Sequence, residues 1–395
     1  MLHYLKKTLN LTGAIAAAVV VLIVTDAGIA IAGAGTYKIG AVFAVTGRAS
    51  FLGDPEAKTV KMVVDRINKN GGINGVPLEI IVKDSQGDAT KATLAVKKLI
   101  TREKVLAVIG PSTSGNSIAV IPLAEKFKTP LVSCAASYKI VHNAKTGKPY
   151  KWVFKTPQSD SMAVESIYSH IKSKGKKRIA LMSVTSGFGA SGRAELLRLA
   201  PEYGIEIVAD EKYGPKDTDM SVQLTKIKAL NPDAIVNWSI GPTQVTVVRN
   251  WQALGMNGIK LYQSHGFGSL KNIELAAGAA EGVYLPLGSV SIPGLLSDDH
   301  SQKKVTTAYQ SNYKTAYNEP LSSFGGYAWD AVNLIAQAIE KAGADKAAIR
   351  AELEKTSNFV GQHGIFNFSE TDHNGLTKDA FNMLMVKDNT WAFAD

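Results

Sequence analysis

Short apolar runs alternate with longer amphipathic segments through the first part of the chain. The runs are rich in β-branched residues, which is typical of buried strands, and the segments repeat their apolar positions with a helical period. The pattern predicts strands over 37–45, 78–83, 105–109 and 130–134, with helices over 56–68 and 89–103. Alternation of this kind indicates a parallel sheet covered by helices.

The same alternation returns after a break near Thr156 and Pro157. It predicts strands over 178–184, 205–209, 234–239, 259–263 and 282–285, with helices over 190–200, 221–229 and 244–254. Two such runs indicate an α/β protein with two lobes built on one plan. Helices predicted over 301–318 and 326–342 have no obvious place in the second run, so we expect them to complete the first lobe.

This return of the chain sets the expected lobe boundaries. Lobe 1 would comprise residues 36–156 and 285–376, and lobe 2 would comprise residues 157–284 and 377–395. The crossovers between the lobes would act as hinges. The part of the chain after residue 34, about 361 residues, is too long for one typical core and suits two.

The first 34 residues have the pattern of a secretory signal peptide. Lys6 and Lys7 precede an apolar run over 11–24, and small residues suit cleavage after Ala32 or Ala34. The run is short for a membrane span, which needs about 20 residues. We therefore predict an exported, periplasmic protein, with a retained N-terminal anchor as the alternative.

The number of cysteines, the distribution of charge and the spacing of the histidines narrow the class of protein. Cys134 is the only cysteine, so no disulfide can form within the chain, and its apolar neighbours predict burial. The formal net charge of +10 is dispersed except for a dense run over 172–178, whereas nucleic-acid binding requires a clustered stripe. The seven histidines lack metal-ligand spacing. We predict no metal, no cofactor and no nucleic acid, and we expect a monomer.

One stretch over 105–117 concentrates polar groups where a predicted strand ends. Gly110 and Pro111 break the strand, and a helix predicted over 118–127 follows. Between them lie four hydroxyl side chains, namely Ser112, Thr113, Ser114 and Ser117. Hydroxyls and free backbone N–H groups at a helix start favour an anion such as a carboxylate. The alternative is that the hydroxyls only cap the helix.

Other polar or glycine-rich loops also follow predicted strands. In open α/β sheets, ligands bind beyond the carboxyl ends of the strands, where the strand order reverses. The loops at those ends cover residues 46–54, 84–87, 110–117, 135–137, 185–189, 239–242 and 264–268. If the strand ends of the two lobes face each other, these loops line one cleft.

Short motifs in a fixed order carry a resemblance to a known family. They are Gly47 with Gly53-Asp54, Ile67-Asn68 with Gly71-Gly72-Ile73-Asn74-Gly75, Asp84, Ile109-Gly110-Pro111 with Ser114, Ser133-Cys134-Ala135-Ala136-Ser137, Phe188-Gly189, Asn231-Pro232-Asp233, and Gly361 with Gly364-Ile365-Phe366 and Phe368. Together they resemble the leucine/isoleucine/valine-binding periplasmic proteins, the soluble receptors of branched-chain amino-acid ABC transporters. No single motif is diagnostic, but their order and spacing make the resemblance specific.

The resemblance implies a fold, a function and a partner. The fold is the two-lobed type I periplasmic binding fold, in which parallel sheets flanked by helices are joined by crossover hinges. The function is closure around a small carboxylate-bearing solute, without enzymatic activity, and the partner is a membrane ABC permease. A ligand-sensing receptor of the same fold is the alternative role.

The resemblance also implies site residues. Ser114 and the backbone around Ala135 and Ser137 would hold the ligand carboxylate. The side chains that would cover the ligand are apolar or aromatic, namely Phe51, Leu52, Phe188, Trp238 and Ile240. Phe188 stands where the family has a Tyr, so the stacking surface remains and its hydroxyl is lost.

His265 departs most informatively from the family pattern, because amino-acid binders place there a Glu that holds the ligand ammonium. A neutral His cannot neutralise an ammonium, and a protonated one would repel it. We therefore expect a hydrophobic carboxylate without an α-amino group, such as an aromatic acid. An amino acid stays possible if Asp84, Glu281 or another carboxylate takes the role, and His265 as a solvated loop residue is the other alternative.

A glycine motif over 187–192 matches the dinucleotide-binding pattern G-x-G-x-x-G, with Asp210 following. It would make the protein an exported NAD-dependent oxidoreductase. Thr185 and Ser186, however, separate the first glycine from the predicted strand, where that fingerprint needs an immediate turn. A ligand-closing loop tipped by Phe188 accounts for the same glycines, and we prefer it.

Overall fold

The computed structural model describes residues 35–395, and the predicted signal peptide over 1–34 lies outside the described residues. The strands are β1 (Tyr37–Phe43), β2 (Leu78–Asp84), β3 (Val108–Ile109), β4 (Leu131–Ser133), β5 (His142–Asn143), β6 (Lys148–Pro149), β7 (Val153–Lys155), β8 (Arg178–Val184), β9 (Glu206–Tyr213), β10 (Ala234–Trp238), β11 (Lys260–Gln263), β12 (Tyr284–Leu287), β13 (Phe359–Val360), β14 (Ile365–Phe366), β15 (Asn382–Lys387) and β16 (Thr390–Phe393). The helices are α1 (Ser50–Lys69), α2 (Ala89–Thr101), α3 (Ser114–Lys126), α4 (Asp160–Ser173), α5 (Gly187–Tyr203), α6 (Ser221–Ala229), α7 (Thr243–Ala253), α8 (Leu270–Ala276), α9 (Lys303–Tyr317), α10 (Ser323–Ala342) and α11 (Lys346–Glu354).

Two separate sheets form the two lobes. The first has the strand order β2-β1-β3-β4-β7, and its strands are all parallel. The second has the order β16-β15-β12-β11-β10-β8-β9, in which β8 to β12 are parallel. The predicted two-lobed α/β fold is confirmed. The structure adds β15 and β16 as an antiparallel edge of the second sheet, which the alternation did not predict.

Helices cover both faces of each sheet, which accounts for the uniformly apolar strands. Apolar residues of α1, α9, α10 and α11 pack on one face of the first sheet, and those of α2 and α3 pack on the other. In the second lobe, α6, α7 and α8 cover one face, while α4 and α5 cover the other. Ile335 and Ile339 of α10 are fully buried, and each such side chain contributes about 1.5–3 kcal/mol. No helix within residues 35–395 has the length and apolar character needed to cross a membrane.

The chain passes three times between the two sheets. The first crossover joins β7 to α4 through Thr156–Ser159, and the third lies between Leu376, in the first core, and β15. The second comes after Leu287, later than the predicted residue 285, because β12 remains paired with β15 through Leu287. The pairing of β12 with β15 sets the position of this second crossover, and a sequence pattern does not reveal such a pairing.

The strand order reverses at one point in each sheet. In the first sheet this point lies between β1 and β3, and in the second it lies between β8 and β10. Strands on either side of such a point send their following loops in opposite directions, which leaves a crevice at the carboxyl ends. The loops 110–113 and 185–186 begin at these two points, and both are shorter than predicted because α3 begins at Ser114 and α5 begins at Gly187.

Packing at the reversal point of the second sheet leads to a prediction about Gly192 in α5. A Cβ there would lie 2.0 Å from the Trp238 indole, so an added methyl group must displace a large buried side chain. We expect Gly192→Ala to lower the free energy of unfolding by about 1–3 kcal/mol, despite the better helix propensity of Ala.

Chemical denaturation of the wild type and the variant measures this difference. Gly258→Ala is the matched control, because among the described residues nothing lies within 4 Å of a Cβ at that position. Equal stability of the Gly192 variant and the control would show that the indole can move at no cost.

Candidate ligand-binding site

Two adjoining cavities lie between the lobes at the reversal points. The inner cavity has a volume of 40 Å³ and the outer cleft has a volume of 550 Å³. Residues that line both are Leu52, Thr113, Ser114, Phe188 and Ile240. The inner cavity is lined further by Ser112, Cys134, Ala135, Ala136, His265, Gly266, Phe324 and Tyr327. Both lobes therefore contribute to one continuous lining.

Thr113 and Ser117 make hydrogen bonds that stabilise the start of α3 and its contact with β4. Thr113 caps α3 by accepting a hydrogen bond from the N–H of Asn116 at 3.4 Å. Ser117 lies 2.8 Å from the Ser133 hydroxyl and is fully buried. The capping alternative is thus correct for Thr113, and Ser117 connects two strand-end loops.

The other two hydroxyls face the inner cavity. Ser112 donates to the buried carboxylate of Glu56 and accepts from the N–H of Ala44 at 3.0 Å. Ser114 accepts from the N–H of Ser137 at 3.3 Å. Its own O–H donates to no group in the described part of the chain, so it is available to a ligand. Thr113 and Ser114 both line the cavities with an O–H that donates to no group in the described part of the chain, and Ser114 is the one that also contacts the loop after β4.

The loop after β4 places Ala135 and Ala136 against the cavity, but the side chain of Ser137 points away from it. Ala135 and Ala136 line the inner cavity. Ser137 is fully buried and lines neither cavity, because its hydroxyl lies 2.6 Å from the Ser191 hydroxyl of α5. This hydrogen bond joins the two lobes, so the Ser137 side chain bridges them and does not line either cavity.

An aromatic wall closes the cavity from the second lobe. Phe188 lines both cavities and packs edge-on against His265, with ring centroids 5.3 Å apart. Trp238 is fully buried and lines neither cavity, which corrects its expected contact with the ligand. Its ring lies 5.7 Å from both the Phe188 and the His265 rings, so it supports the wall from behind.

His265 is a cavity residue rather than a solvated one. It is 5% exposed, which shows that the solvated-loop alternative is wrong. Neither Nδ1 nor Nε2 has a hydrogen-bonding partner among residues 35–395. Burial lowers the pKa of His265 to about 3, with further lowering by the positive charges of Lys155 and His363. The ring is therefore neutral near pH 7 and offers one donor and one acceptor.

The remaining predicted residues lie in α1 of the first lobe and in the loop after β10. Phe51 lines the outer cleft only and packs edge-on against Phe324, with centroids 5.8 Å apart. Leu52 and Ile240 line both cavities. The structure thus gathers eight of the nine predicted residues at or directly behind the cavity wall, with Ser137 as the bridge between lobes.

The sequence interpretation missed two aromatic residues of the site. Phe324 and Tyr327 lie in the first turns of α10 and line the inner cavity. The pattern predicts a helix that begins at residue 326, whereas α10 begins at Ser323, so the prediction leaves out the turn that carries Phe324. The sequence Phe324-Gly-Gly-Tyr327 gives the available signal, because small residues beside aromatic ones allow close packing at a helix start.

No carboxylate lines the inner cavity within the described residues. Asp84 accepts hydrogen bonds from the backbone and hydroxyl of Thr46, and Glu281 accepts from the N–H of Asp388, so both are engaged elsewhere. Glu56 is the nearest candidate, because it lies behind Ser112. Burial raises its pKa well above the usual value, and its Oε1 has no partner in the part of the chain described.

Steric packing accounts for all three glycines of the dinucleotide-like motif. A Cβ at Gly189 would lie 1.8 Å from the carbonyl oxygen of Val184, and one at Gly192 would overlap the Trp238 indole. A Cβ at Gly187 would lie 2.9 Å from the backbone of Gly115 in the opposite lobe. Gly187 is thus a point of close approach between lobes, as the ligand-closing interpretation requires.

The fold and the cavity between its lobes correspond to a known family. A family model described as periplasmic binding protein matches residues 36–390. The chain therefore belongs to the periplasmic binding protein family. The relatives described next confirm the resemblance to the branched-chain amino-acid group of type I periplasmic binding proteins.

Relatives of known name and structure cover nearly the whole described chain. A Pseudomonas aeruginosa leucine-, isoleucine-, valine-, threonine-, and alanine-binding protein is 25% identical over 338 residues, which cover 85% of this chain and 87% of that protein. An extracellular ligand-binding receptor from Rhodopseudomonas palustris HaA2 is 27% identical with a TM-score of 0.83, covering 91% of this chain and 100% of the receptor. The substrate binding protein LivJ of a Streptococcus pneumoniae branched-chain amino acid transporter, solved with isoleucine, is 30% identical with a TM-score of 0.77, covering 90% and 97%.

These relatives define the type of protein. Each is named as a binding protein or receptor, and none is named as an enzyme. The chain is therefore a substrate-binding receptor of the branched-chain amino-acid type.

The buried neutral His265 predicts a specific pH dependence of stability. Its pKa is near 3 in the folded protein and about 6.5 when unfolded, so the unfolded chain takes up a proton first as the pH falls. The wild type should lose about 2 kcal/mol of stability through this group between pH 7 and pH 5. His265→Asn should lack that loss.

Denaturant unfolding of ligand-free protein at several pH values tests this difference. Between pH 7 and pH 8 the wild type and the variant should run nearly parallel, because the imidazole is neutral in both states. Parallel curves down to pH 5 would contradict the burial of a neutral imidazole.

Proposed function

We propose that the protein is an exported, monomeric receptor that captures a hydrophobic or aromatic carboxylate without an α-amino group. The ligand binds in the inner cavity between two closing lobes, and the closed receptor delivers it to a membrane ABC permease. Lobe 1 would comprise 36–156 and the segment from the second crossover to 376, and lobe 2 the remainder. The three crossovers described above would be the hinges.

The observation that carries this proposal is the uneven chemistry of the inner cavity. The first lobe contributes a free hydroxyl donor at Ser114 and the backbone of Ala135 and Ala136, which suit a carboxylate. The second lobe contributes Phe188 and the neutral His265, which suit an apolar or aromatic body with at most one polar group. A ligand with a carboxylate at one end and an apolar ring at the other matches both walls.

The absence of a carboxylate from the lining of the inner cavity, among the described residues, argues against an amino-acid ligand. A buried ammonium without a counter-charge is costly, and hydrogen bonds alone compensate little of that cost. Glu56 could supply the charge only by ionising in a fully buried place behind Ser112, where burial opposes ionisation. The amino-acid ligands of relatives remain the alternative that the experiment must separate.

The size of the inner cavity supports a mechanism by lobe closure. Its 40 Å³ is below the range of 300–1,000 Å³ that is typical of small-molecule pockets, whereas the adjoining cleft of 550 Å³ lies within that range. A ligand would therefore occupy the inner cavity together with part of the adjoining cleft, and its entry would require the lobes to separate. Contacts from both lobes to the bound ligand then favour the closed form, since only that form makes both sets.

Ligand class is tested by thermal unfolding of residues 35–395, after unfolding and refolding to remove any carried ligand. The panel contains benzoate, phenylacetate, aliphatic 2-keto acids, leucine, isoleucine and phenylalanine. A ligand at 100 times its Kd adds about 2.7 kcal/mol of stability, which raises the Tm visibly. We expect a rise with acids that lack the amine and none with the amino acids.

His265→Glu supplies the sharpest comparison, because it places a carboxylate where the amino-acid binders have one. This variant should gain binding of leucine or phenylalanine and lose at least about tenfold in affinity for the acids. His300→Glu, outside the cavity lining, makes the same change of side chain as a control. Wild-type binding of leucine at micromolar concentration, with no binding of aryl acids, would refute the proposed ligand class.

Closure is tested at Gly187, where the backbones of the two lobes come close. Gly187→Ala must push against Gly115, so we expect about tenfold weaker binding of the best ligand of the panel, equivalent to about 1.4 kcal/mol. Gly115→Ala is the matched control, since in the described structure nothing lies within 4 Å of its Cβ. Isothermal titration gives both affinities, and equal values for both variants would contradict closure at this contact.

A further inference from the structure

A buried lysine lies directly beneath the loop that forms the carboxylate end of the cavity. Lys155 ends β7 and its side chain is fully buried. The Nζ group donates to the carbonyl oxygen of Ala136 at 2.9 Å and to that of Pro157 at 2.8 Å. An ammonium rarely occupies such a position without function, because removing it from water costs several kcal/mol.

The contact with Ala136 connects the ammonium to the cavity through one peptide group. In a trans peptide the carbonyl of residue 136 and the N–H of Ser137 point in opposite directions. The carbonyl oxygen accepts from Lys155, and the N–H donates to the Ser114 hydroxyl at 3.3 Å. The Ser114 O–H is then left to donate into the cavity. Each hydrogen bond in such a chain polarises the next, and all of them orient donors toward the ligand.

We infer that Lys155 is a positioning residue that makes the inner cavity selective for an anionic group, acting through the Ala136–Ser137 peptide and the Ser114 hydroxyl. The ammonium fixes the direction of that peptide and contributes a positive field from behind it. This inference rests on the proposed function only in placing a carboxylate at Ser114. It adds the charge that the cavity surface itself lacks.

The electrostatics around Lys155 agree with this role. Its positive charge helps to lower the pKa of His265, which lines the opposite wall, so its field reaches the cavity. Asp160, at the first turn of α4, provides the nearest opposing charge. Burial raises the pKa of Asp160, while hydrogen bonding with the Ser191 hydroxyl and the charge of Lys155 lower it. Burial lowers the pKa of Lys155 to about 7 and the Asp160 charge raises it, so removing that charge should favour the neutral amine and weaken the field that an anion experiences.

The experiment compares an acid with its own neutral amide. Benzoate and benzamide have nearly the same shape, and leucine and leucinamide form a second pair that serves if the ligand is an amino acid. Isothermal titration with the wild type, Lys155→Met, Lys155→Gln and Asp160→Asn gives the ratio of acid to amide affinity. Circular dichroism and thermal unfolding confirm that each variant folds.

We expect Lys155→Met to lower the acid affinity by about tenfold or more and to leave the amide affinity unchanged. Lys155→Gln retains hydrogen-bond donors without the charge, so its affinity for the acid should lie between that of the wild type and that of Lys155→Met. Asp160→Asn removes the charge that helps to keep Lys155 protonated, so it should lower the ratio of acid to amide affinity as well. A purely structural lysine would weaken acid and amide equally, and that result would overturn the inference.

Failure of the inference and failure of the proposed function give different results. If the wild type binds leucine and not benzoate, the proposed ligand class is wrong, and the leucine pair still tests Lys155. If it binds benzoate and the acid-to-amide ratio is unchanged in Lys155→Met, only the inference is wrong. Binding of amides in preference to acids by the wild type would overturn the carboxylate end of the site and both proposals with it.

Discussion

Polar groups buried between the lobes must find partners inside the protein or in a ligand, and this constraint shapes the cavity. The Ser117 hydroxyl and the acceptor capacity of Thr113 are used by the protein itself. The O–H groups of Thr113 and Ser114 keep donor capacity that the described residues do not use, and so do both ring nitrogens of His265 on the opposite wall. Because unpaired groups in a low dielectric are costly, these groups define where a ligand must supply polar partners. The specificity of the cavity follows from what the rest of the protein leaves unpaired.

The first crossover unites hinge and binding loop in one short segment. Lys155 and Asp160 stand on either side of Thr156–Ser159, one at the end of a strand in the first lobe and the other at the start of a helix in the second. Burial disfavours the charged form of each, and their mutual attraction favours it. A change in the angle between the lobes therefore changes the environment of the same ammonium that orients the carboxylate loop. On the proposed role of Lys155, this one buried group would couple ligand binding to lobe position.

Local patterns in the sequence were sufficient for the lobes and for most of the loops that meet at the cleft. Apolar periodicity and strand-end hydroxyls are local signals, and the position of Ser114 could be predicted from them. The bridge between Ser137 and Ser191 could not, because it depends on how two lobes meet. Phe324 reaches the cavity from a helix that returns to the first lobe more than 200 residues after Ser114, and periodicity carries no information on where its first turn lies. The sequence pattern does not show which way side chains point where segments distant in sequence meet.

Closure of the two lobes depends on small residues at two kinds of contact. Gly187 brings backbone against backbone, and a side chain there would hold the lobes apart. The Ser137–Ser191 hydrogen bond forms only when the lobes are close, and it then orders the loop that carries the Ala136 carbonyl. Because Gly187 lets the two backbones come close, the Ser137–Ser191 hydrogen bond can form. A ligand that pairs with Ser114 and His265 adds the remaining contacts, so that the closed form is favoured by groups that the open form exposes to water.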